Sequence, residues 1–495
     1  MAKSRPWIAG RSRRVFLGLL ALGFGGTAVG CSTADEPGDG PAEGPEEGGH
    51  EAAANGAQAV NDPAKPGAVV ATVDVIVVGA GAAGLAVAER LQQAGRRVLV
   101  LEARDRVGGR VHTSRAWPDL PVDLGASWIQ GSAGNPMTAL AKRFGARTVA
   151  TDEDAALVVD VGGRRLSDSR LADIYDGYEE VLHKAAAAAE DWDRDGSLVA
   201  AVAEAVKGLD LSAADRQALD WALDFAVAQE YAAGTKDLSA WYWDEDEALG
   251  GENLLLPDGY GLLLERVAAS LDIRLGQAVT RIAHGPDGVR VSGPGGVFEA
   301  DRVVVTLPLG VLKASAVTFD PPLPAGHRQA IARLGMGVLS KLWLRFDRVR
   351  WREEAHWLGA LGPRPGEWTS FVNLAPQTGQ PLILAFNAGD FGRRAEEMDE
   401  AKAVADCMAS LRRILGPDLP DPLAWQRSAW SRDPWAHGSY SYRPPGASAK
   451  DHRLLATPVS ERLLLAGEHC HARHPATVHG AWLSGLAAAE QVLEG

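Results

Sequence analysis

The residues with the plainest chemical use are the three glycines of Gly79-Ala80-Gly81-Ala82-Ala83-Gly84. An apolar run (Val73, Val75, Ile76, Val77, Val78) leads into them, and a small-residue stretch over 85–93 follows. A second apolar run, Val98-Leu99-Val100-Leu101, closes on Glu102 and Ala103. That order suits a diphosphate. Gly79 permits a tight strand-to-helix turn, Gly81 lets the backbone approach the phosphates, and Gly84 lets the helix pack closely on the strand. Ala82 and Ala83 then open a helix whose N-terminus faces the negative charge. Glu102 falls about 20 residues beyond the glycines, where a carboxylate holds a ribose hydroxyl and disfavours a 2′-phosphate. Glycine-rich turns are common, so the flanking strands and the acid carry the dinucleotide reading more than the glycines do.

Such a site needs a parallel sheet with a helix docked on it. At 495 residues the chain has room for two domains with substantial cores. With 46% apolar and 23% charged residues, a globular body is expected rather than disorder. Residues 135–255 read as helical and mixed, with alanine-rich amphipathic segments such as 182–190. Strands are expected at 273–275, 279–282, 289–291 and 302–306, and again at 341–346 in a second sheet. Leu463-Leu464-Leu465 reads as a buried strand ending near Glu468, and 480–493 as a small-residue helix. The expected fold class is α/β. A discontinuous Rossmann-like nucleotide domain would take 70–130, 262–315 and 425–493, and a substrate domain of mixed sheet plus helices 131–261 and 316–424.

The first 30 residues read as an address. Ser12-Arg13-Arg14-Val15-Phe16-Leu17 resembles a twin-arginine export signal, and the apolar run from 15 to 29 is short and glycine-rich, which suits a cleavable segment rather than a membrane span. Ala28-Val29-Gly30-Cys31 resembles a lipoprotein processing site, which would anchor Cys31 by lipid; ordinary cleavage beside an incidental cysteine is the alternative. Residues 31–69 read as a flexible tether, whose eight acids (Asp35, Glu36, Asp39, Glu43, Glu46, Glu47, Glu51, Asp62) face no Lys or Arg as far as Asp62. The net charge of −14 argues against nucleic acid and anionic membrane as partners and suits a cationic substrate, although the tail supplies much of it. The expected location is the cell envelope, lipid-anchored to the outer face of a bacterial membrane, or secreted. Of the three cysteines, Cys407 and Cys470 could pair if Cys31 is lipidated. His469, His471, His474 and His479 bunch near Cys470 without the spacing of a zinc site, so no metal is expected.

The kind of dinucleotide is indicated by Arg104-Asp105-Arg106-Val107-Gly108-Gly109-Arg110. By composition alone this is a polar loop with two turn glycines. It is similar to the R-x-G-G-R continuation of the flavin amine oxidase superfamily, which runs beside the flavin phosphates and ring. Four more segments resemble the superfamily in its order: Asp123-Leu124-Gly125-Ala126-Ser127-Trp128, Asp433-Pro434-Trp435, Ala466-Gly467-Glu468-His469, and Pro475-Ala476-Thr477-Val478-His479-Gly480-Ala481 with Leu483-Ser484-Gly485. The resemblance covers about 72–493. Among members that include monoamine oxidases and histone lysine demethylases, it looks most like plant-type polyamine oxidases, through Trp243-Asp244, Gly259-Tyr260 and Ile273-Arg274-Leu275-Gly276.

The resemblance implies FAD, held by Gly79, Gly81, Ala82, Ala83, Gly84, Glu102, Ala103, Arg104, Gly109, Arg110, Gly125, Ala126, Ser127, Trp128, Val279, Trp430, Gly467, Glu468, Ala476, Thr477 and Val478. Glu468 matches the acid on the ribityl chain, and Val478 would offer its backbone N–H to the pyrimidine edge. Lys341 matches a lysine that holds water against flavin N5, although periodicity alone would put it on a strand's solvent face. Trp430, Trp435 and Tyr440 map around the ring and the amine, although three aromatics in ten residues also suit an ordinary core. Thr477 stands where monoamine oxidases carry a second tyrosine, and Ser439 where they carry a flavin-linking cysteine, so FAD should be non-covalent. Lys341, Tyr440, Thr477 and Trp430 are thus the expected catalytic residues, and Gln130, Glu230, Trp435 and Tyr440 the substrate contacts. Glu230 matches an acid near the polyamine tunnel, with a solvated helix acid as the alternative. Gln130 replaces a Glu or His of other members, which leaves the preferred polyamine and the cleaved bond open. The implied activity is an exported FAD-dependent amine oxidase: a C–N bond is oxidised to an imine, which hydrolyses to aldehyde plus amine, and O₂ becomes H₂O₂. The alternative is an L-amino-acid oxidase or another primary-amine oxidase on the same scaffold, the former needing an arginine clamp that the sequence does not identify. A tethered FAD-binding protein without turnover is the more distant alternative.

Overall fold

The computed structural model of the protein describes residues 69–152, 155–362 and 364–495. The segments expected to act as an export signal, a lipid-anchor cysteine and a tether, up to residue 68, lie outside the described residues.

The valine-rich run around the glycines forms the centre of an eight-stranded sheet. Val69–Val78 pairs in parallel with Val98–Leu101 on one side and with Gly296–Val305 on the other. Ile273–Arg274 extends the parallel order beyond Val98–Leu101. Gly296–Val305 changes partners along its length. Its first half runs antiparallel to Gly288–Gly293, while Val303–Val305 runs parallel to Leu463–Leu465. The antiparallel arm continues to Arg281–Gly285, with which Thr318–Asp320 then pairs in parallel.

Successive residues of the central strands point to opposite faces, and both faces are covered. Val75, Val77, Val100, Val304 and Leu464 pack on helices Ala82–Gln93, Gly261–Ala268 and Val478–Glu494. Ile76, Val78, Leu99, Leu101, Val303 and Val305 pack on Leu309–Lys313, Ala325–Arg333 and Ala449–Leu455. Double coverage explains runs that are apolar throughout instead of alternating.

A second, six-stranded sheet has the order Ala424–Arg427, Leu339–Arg345, Leu382–Ala388, Ser370–Asn373, Trp357–Ala360 and Ala156–Val159. All its pairs are antiparallel except the last. Leu342, Leu344, Ile383 and Ala385 face helices Gly389–Glu397 and Glu400–Leu415. Trp343, Leu384 and Phe386 face helices Asp168–Glu190, Leu198–Ala205 and Ala213–Leu223. This is the α/β fold class expected from the sequence.

Several boundaries differ from expectation. The first strand begins at Val69, the last position assigned to the tether. The strand expected over 279–282 runs over Arg281–Gly285, because Val279 and Thr280 turn toward the central cavity described below. The helical segment over 182–190 is only the last part of Asp168–Glu190. Helix Ala213–Leu223 passes into a π-helical turn, Asp224–Ala228, and then Gln229–Tyr231, which ends at Ala232 with φ +52°. Nothing in the hydrophobic pattern signals that turn. Cys407 and Cys470 are free and buried in different cores, the first under the six-stranded sheet and the second under the eight-stranded one, so they do not pair. Among the described residues no helix is long and apolar enough to cross a membrane.

Candidate active site

The glycine turn is built by close approach. Gly79 has φ +105°, a conformation that favours glycine. A Cβ on Gly84 would lie 1.9 Å from the Gly79 carbonyl oxygen and 2.9 Å from Thr306 Oγ1. At Gly81 a Cβ would meet nothing within 4 Å, since this residue faces the cavity. Gly81 is also the N-cap of Ala82–Gln93, and no side chain caps that helix. An uncapped helix N-terminus behind an open glycine is a cradle for an anion. Glu102 is buried beside it. Its carboxylate accepts from Ala80 N at 2.7 Å and Arg104 N at 2.9 Å, and each oxygen keeps a lone pair for a ribose hydroxyl.

Residues 123–127 then gather groups from two other parts of the chain. The carbonyl of Asp123 accepts from Trp343 Nε1 at 3.0 Å, and that of Leu124 from Trp430 Nε1 at 2.8 Å. Lys341 Nζ donates to the Gly125 carbonyl and, at 2.5 Å, to Ser127 Oγ, with the Asp123 carbonyl at 3.4 Å. Phe386 and Trp128 flank the ammonium, their ring centroids 5.6 and 5.8 Å away. Lys341 is only 4% exposed, which overturns the solvent-face alternative. Burial pushes its ammonium down to about 8, against the opposing charge of Asp123. Burial likewise pushes the Asp123 carboxyl up to about 6, against bonds from Thr113 and Tyr260 N and the charge of Lys341.

The C-terminal segment closes the other side. Glu468, 4% exposed, accepts from Arg110 at 2.8 Å, Ser441 Oγ at 2.5 Å and Ala476 N at 3.0 Å. Burial alone would raise its carboxyl, but the Arg110 charge and these bonds hold it down at about 2. Arg110 also donates to the Ser439 carbonyl, and Arg104 makes a two-pronged pair with Asp433 at 2.7 and 2.8 Å. Thr477 caps helix Val478–Glu494: its Oγ accepts from Gly480 N and donates to the His474 carbonyl, both at 2.9 Å. Its hydroxyl is therefore committed to the cap, and what it presents to the cavity is methyl and backbone. Tyr440 donates to the Gln229 carbonyl at 2.8 Å, which ties it to the helical turn that follows the π segment.

These parts enclose one cavity of about 380 Å³. Every expected site residue lines it except Gly84, whose place under the turn is the packing role assigned to it. Lys341, Tyr440, Thr477 and Trp430 are on the wall, as are Val279, Gln130, Glu230 and Trp435. Trp435 is 38% exposed, and its N–H bonds Asp433, which places its backbone beside Arg104. Sequence reading missed Phe225, Gln229, Tyr231, Trp243, Asp246, Trp357 and Phe386, all on the same wall. Trp243 carried a motif signal, but Phe225 sits in the π turn, Gln229 and Tyr231 in the helical turn after it, Asp246 in a loop, and Trp357 and Phe386 on strands whose facing direction was not legible. Among the described residues no group of three or more His, Cys, Asp or Glu is placed to hold a metal. The histidines bunched near Cys470 pack on one another instead, His471 stacked on His474 at 5.1 Å and His479 edge-on to His474 at 5.1 Å.

An uncapped helix end, an open glycine, a buried acid beside the turn and a buried carboxylate opposite them fit FAD, and the fold defines the class as a two-sheet FAD-dependent oxidoreductase. The sequence pattern of the flavin containing amine oxidoreductases matches residues 82–493, and the chain belongs to that family. Polyamine oxidase 4 of Oryza sativa subsp. japonica is 36% identical over 432 residues, covering 84% of this chain and 88% of that protein. Lysine-specific histone demethylase 1 homolog 2 of Arabidopsis thaliana is 36% identical over 439 residues, covering 85% of this chain and 58% of that protein. In fold, the chain is similar to wild-type putrescine oxidase bound to putrescine, with a TM-score of 0.69 at 22% identity over 86% of this chain and 99% of the other. The protein is an FAD-dependent amine oxidoreductase.

Proposed function

We propose that the protein oxidises polyamines, with FAD bound non-covalently. The observation that carries this reading is a half-buried carboxylate, Glu230, on the wall of the same cavity as Lys341, among Tyr231, Trp243 and Tyr440. Bound FAD supplies a two-electron acceptor for the C–H bond beside the amine nitrogen. The chain's own groups position the amine. Fixed aromatic faces at Trp430 and Tyr440 exclude water and attract the amine. Glu230 receives a distal ammonium, and Lys341, anchored on Gly125 and Ser127, exchanges its long 3.4 Å contact with the Asp123 carbonyl for the water that hydrolyses the imine. The products are an aldehyde and an amine, and O₂ takes the electrons to give H₂O₂. At position 439 the Ser hydroxyl is bonded to the backbone of Leu339, which suits a flavin without a covalent link.

An L-amino-acid oxidase fits less well, because the arginines on the wall are already committed. Arg104 pairs with Asp433, Arg110 with Glu468, and Arg443 donates to the carbonyls of Tyr242 and Ala472. Peroxide release measured with spermine, spermidine, putrescine, tyramine and a set of L-amino acids should be greatest with a polyamine. Turnover of L-amino acids alone would defeat the reading. Glu230→Gln should cost about 2 kcal/mol with a polyamine, roughly 30-fold in kcat/KM, and little with a monoamine. Equal losses with both substrates would remove Glu230 from the distal subsite.

The same proposal places the enzyme outside the cytoplasm, on the strength of Arg13-Arg14 and Cys31. Replacing both arginines by lysine should trap it in the cytoplasm, and Cys31→Ser should abolish labelling by a lipid precursor. Unchanged fractionation and labelling would overturn export and anchoring respectively.

A further inference from the structure

The geometry points to Glu396 as a positioning residue for the flavin-facing loop that begins at Trp430. Glu396 lies near the end of helix Gly389–Glu397 and is 1% exposed. Its Oε1 accepts from Trp430 N at 3.0 Å, while Oε2 accepts from Ser431 N at 2.8 Å and Ser431 Oγ at 2.5 Å. A buried carboxylate is costly unless its lone pairs are engaged, and here they are engaged by two consecutive backbone N–H groups of one loop. Removing the acid would orphan both donors.

That loop carries much of the cavity wall. Trp430 reaches back to the Leu124 carbonyl, Asp433 holds Arg104, and the Ser439 carbonyl holds Arg110. The loop also closes on itself, Gly438 N donating to the Trp430 carbonyl at 2.8 Å. Its beginning and end therefore meet at the residue that Glu396 grips. The helix bearing Glu396 follows directly from strand Leu382–Ala388, whose Phe386 flanks the Lys341 ammonium. One strand–helix unit thus registers the lysine and the tryptophan wall against each other, although Glu396 itself does not line the cavity. This inference rests on the FAD site and not on the choice of amine.

Three variants and one wild-type measurement test it. Glu396→Gln keeps the shape but sets an NH₂ group against one of the two N–H donors. In the FAD-loaded protein it should lower kcat roughly tenfold to a hundredfold, as a small misplacement at a reacting centre does, with KM changed less than about twofold. It should also shift the visible flavin bands and speed amide exchange across 430–438. Glu396→Asp, a shorter carboxylate, should recover part of kcat. Ser431→Ala, which keeps both N–H bonds and loses only the hydroxyl bond, should move kcat, flavin bands and exchange less than Glu396→Gln does. A folded Glu396→Gln protein with unchanged kcat, flavin bands and exchange would overturn the proposal. So would one that loses only melting temperature. If Glu396→Gln does not fold, wild-type exchange decides: slow amides at 430 and 431 support the clamp, and amides exchanging like an open loop overturn it. The flavin bands and exchange need no substrate, so a wrong amine assignment would leave them informative.

Discussion

Lys341 shows how much depends on which neighbours a strand has. In isolation it alternates with Leu342 and Leu344 and reads as solvent-facing. In the fold neither face of its strand is open, and Trp343 beside it is buried against the helical layer. Alternation in a sheet covered on both sides distinguishes two interiors, not inside from outside. Only the family resemblance could signal the cavity, and likewise for Thr477, whose committed hydroxyl no motif reveals. The lowered value of Lys341 has a definite sign. Below about 8 the ammonium is charged in both folded and unfolded chains, and folding bears the cost of burying it. From about 8 up to the ordinary lysine value of 10.5, the unfolded chain keeps its proton while the folded one has lost it, so this group makes stability rise with pH. The rate of flavin reoxidation should accordingly change through an apparent pKa near 8, and Lys341→Met should retain FAD but lose that limb and slow. Stopped-flow traces identical to wild type across pH 7–10 would take Lys341 off the catalytic list. Flavin reduction should carry a separate limb if the neutral amine is the form oxidised, and that limb should persist in the variant.

At the scale of elements, the strand–turn–helix opening was legible because three requirements coincide within thirty residues: apolar strands, spaced glycines and a terminal acid. The π-helical turn over Asp224–Ala228 was not, because one inserted residue leaves the apolar pattern almost unchanged while rotating the following side chains. It is this turn that brings Phe225, Gln229 and Glu230 to the cavity. The strand start near 279 is illegible for a different reason: Val279 is apolar and extends the strand pattern, but it lines the cavity. The two glycines of the opening element make separable predictions. Gly84→Ala forces a methyl into the Gly79 carbonyl and should cost about 1–3 kcal/mol of stability as overpacking does, seen as a lower melting temperature even without FAD. Gly81→Ala meets no protein atom within 4 Å, so it should leave the FAD-free protein's melting temperature near wild type while weakening FAD binding. A Gly81→Ala protein that binds FAD normally would mean that the phosphates do not pass this turn.

For the whole molecule, the cavity is assembled from segments hundreds of residues apart. Its walls come from 78–130, 225–253, 277–317, 339–386 and 430–481, and the first and last helices of the described residues meet where Ala82–Gln93 packs on Val478–Glu494. That contact is close enough that a Cβ on Gly485 would lie 2.2 Å from the Ala83 carbonyl. A ligand filling this space touches both ends of the described body at once, and it can do so only in the folded state. Binding to the folded state alone stabilises by RT ln(1 + [L]/Kd), about 2.7 kcal/mol at a hundredfold excess over Kd. FAD-stripped protein should therefore melt lower than holoenzyme, and its melting temperature should climb with the logarithm of added FAD. The 430–481 wall, which contributes Trp430, Tyr440 and Glu468, should be the first region cut by protease in the stripped protein and should be protected as FAD is restored. The arrangement also predicts that no N-terminal fragment ending before Leu463 binds FAD, because it lacks a strand of the sheet as well as Glu468. A stripped protein with the same melting temperature and cleavage pattern as holoenzyme would show that the cofactor does not bridge the two ends.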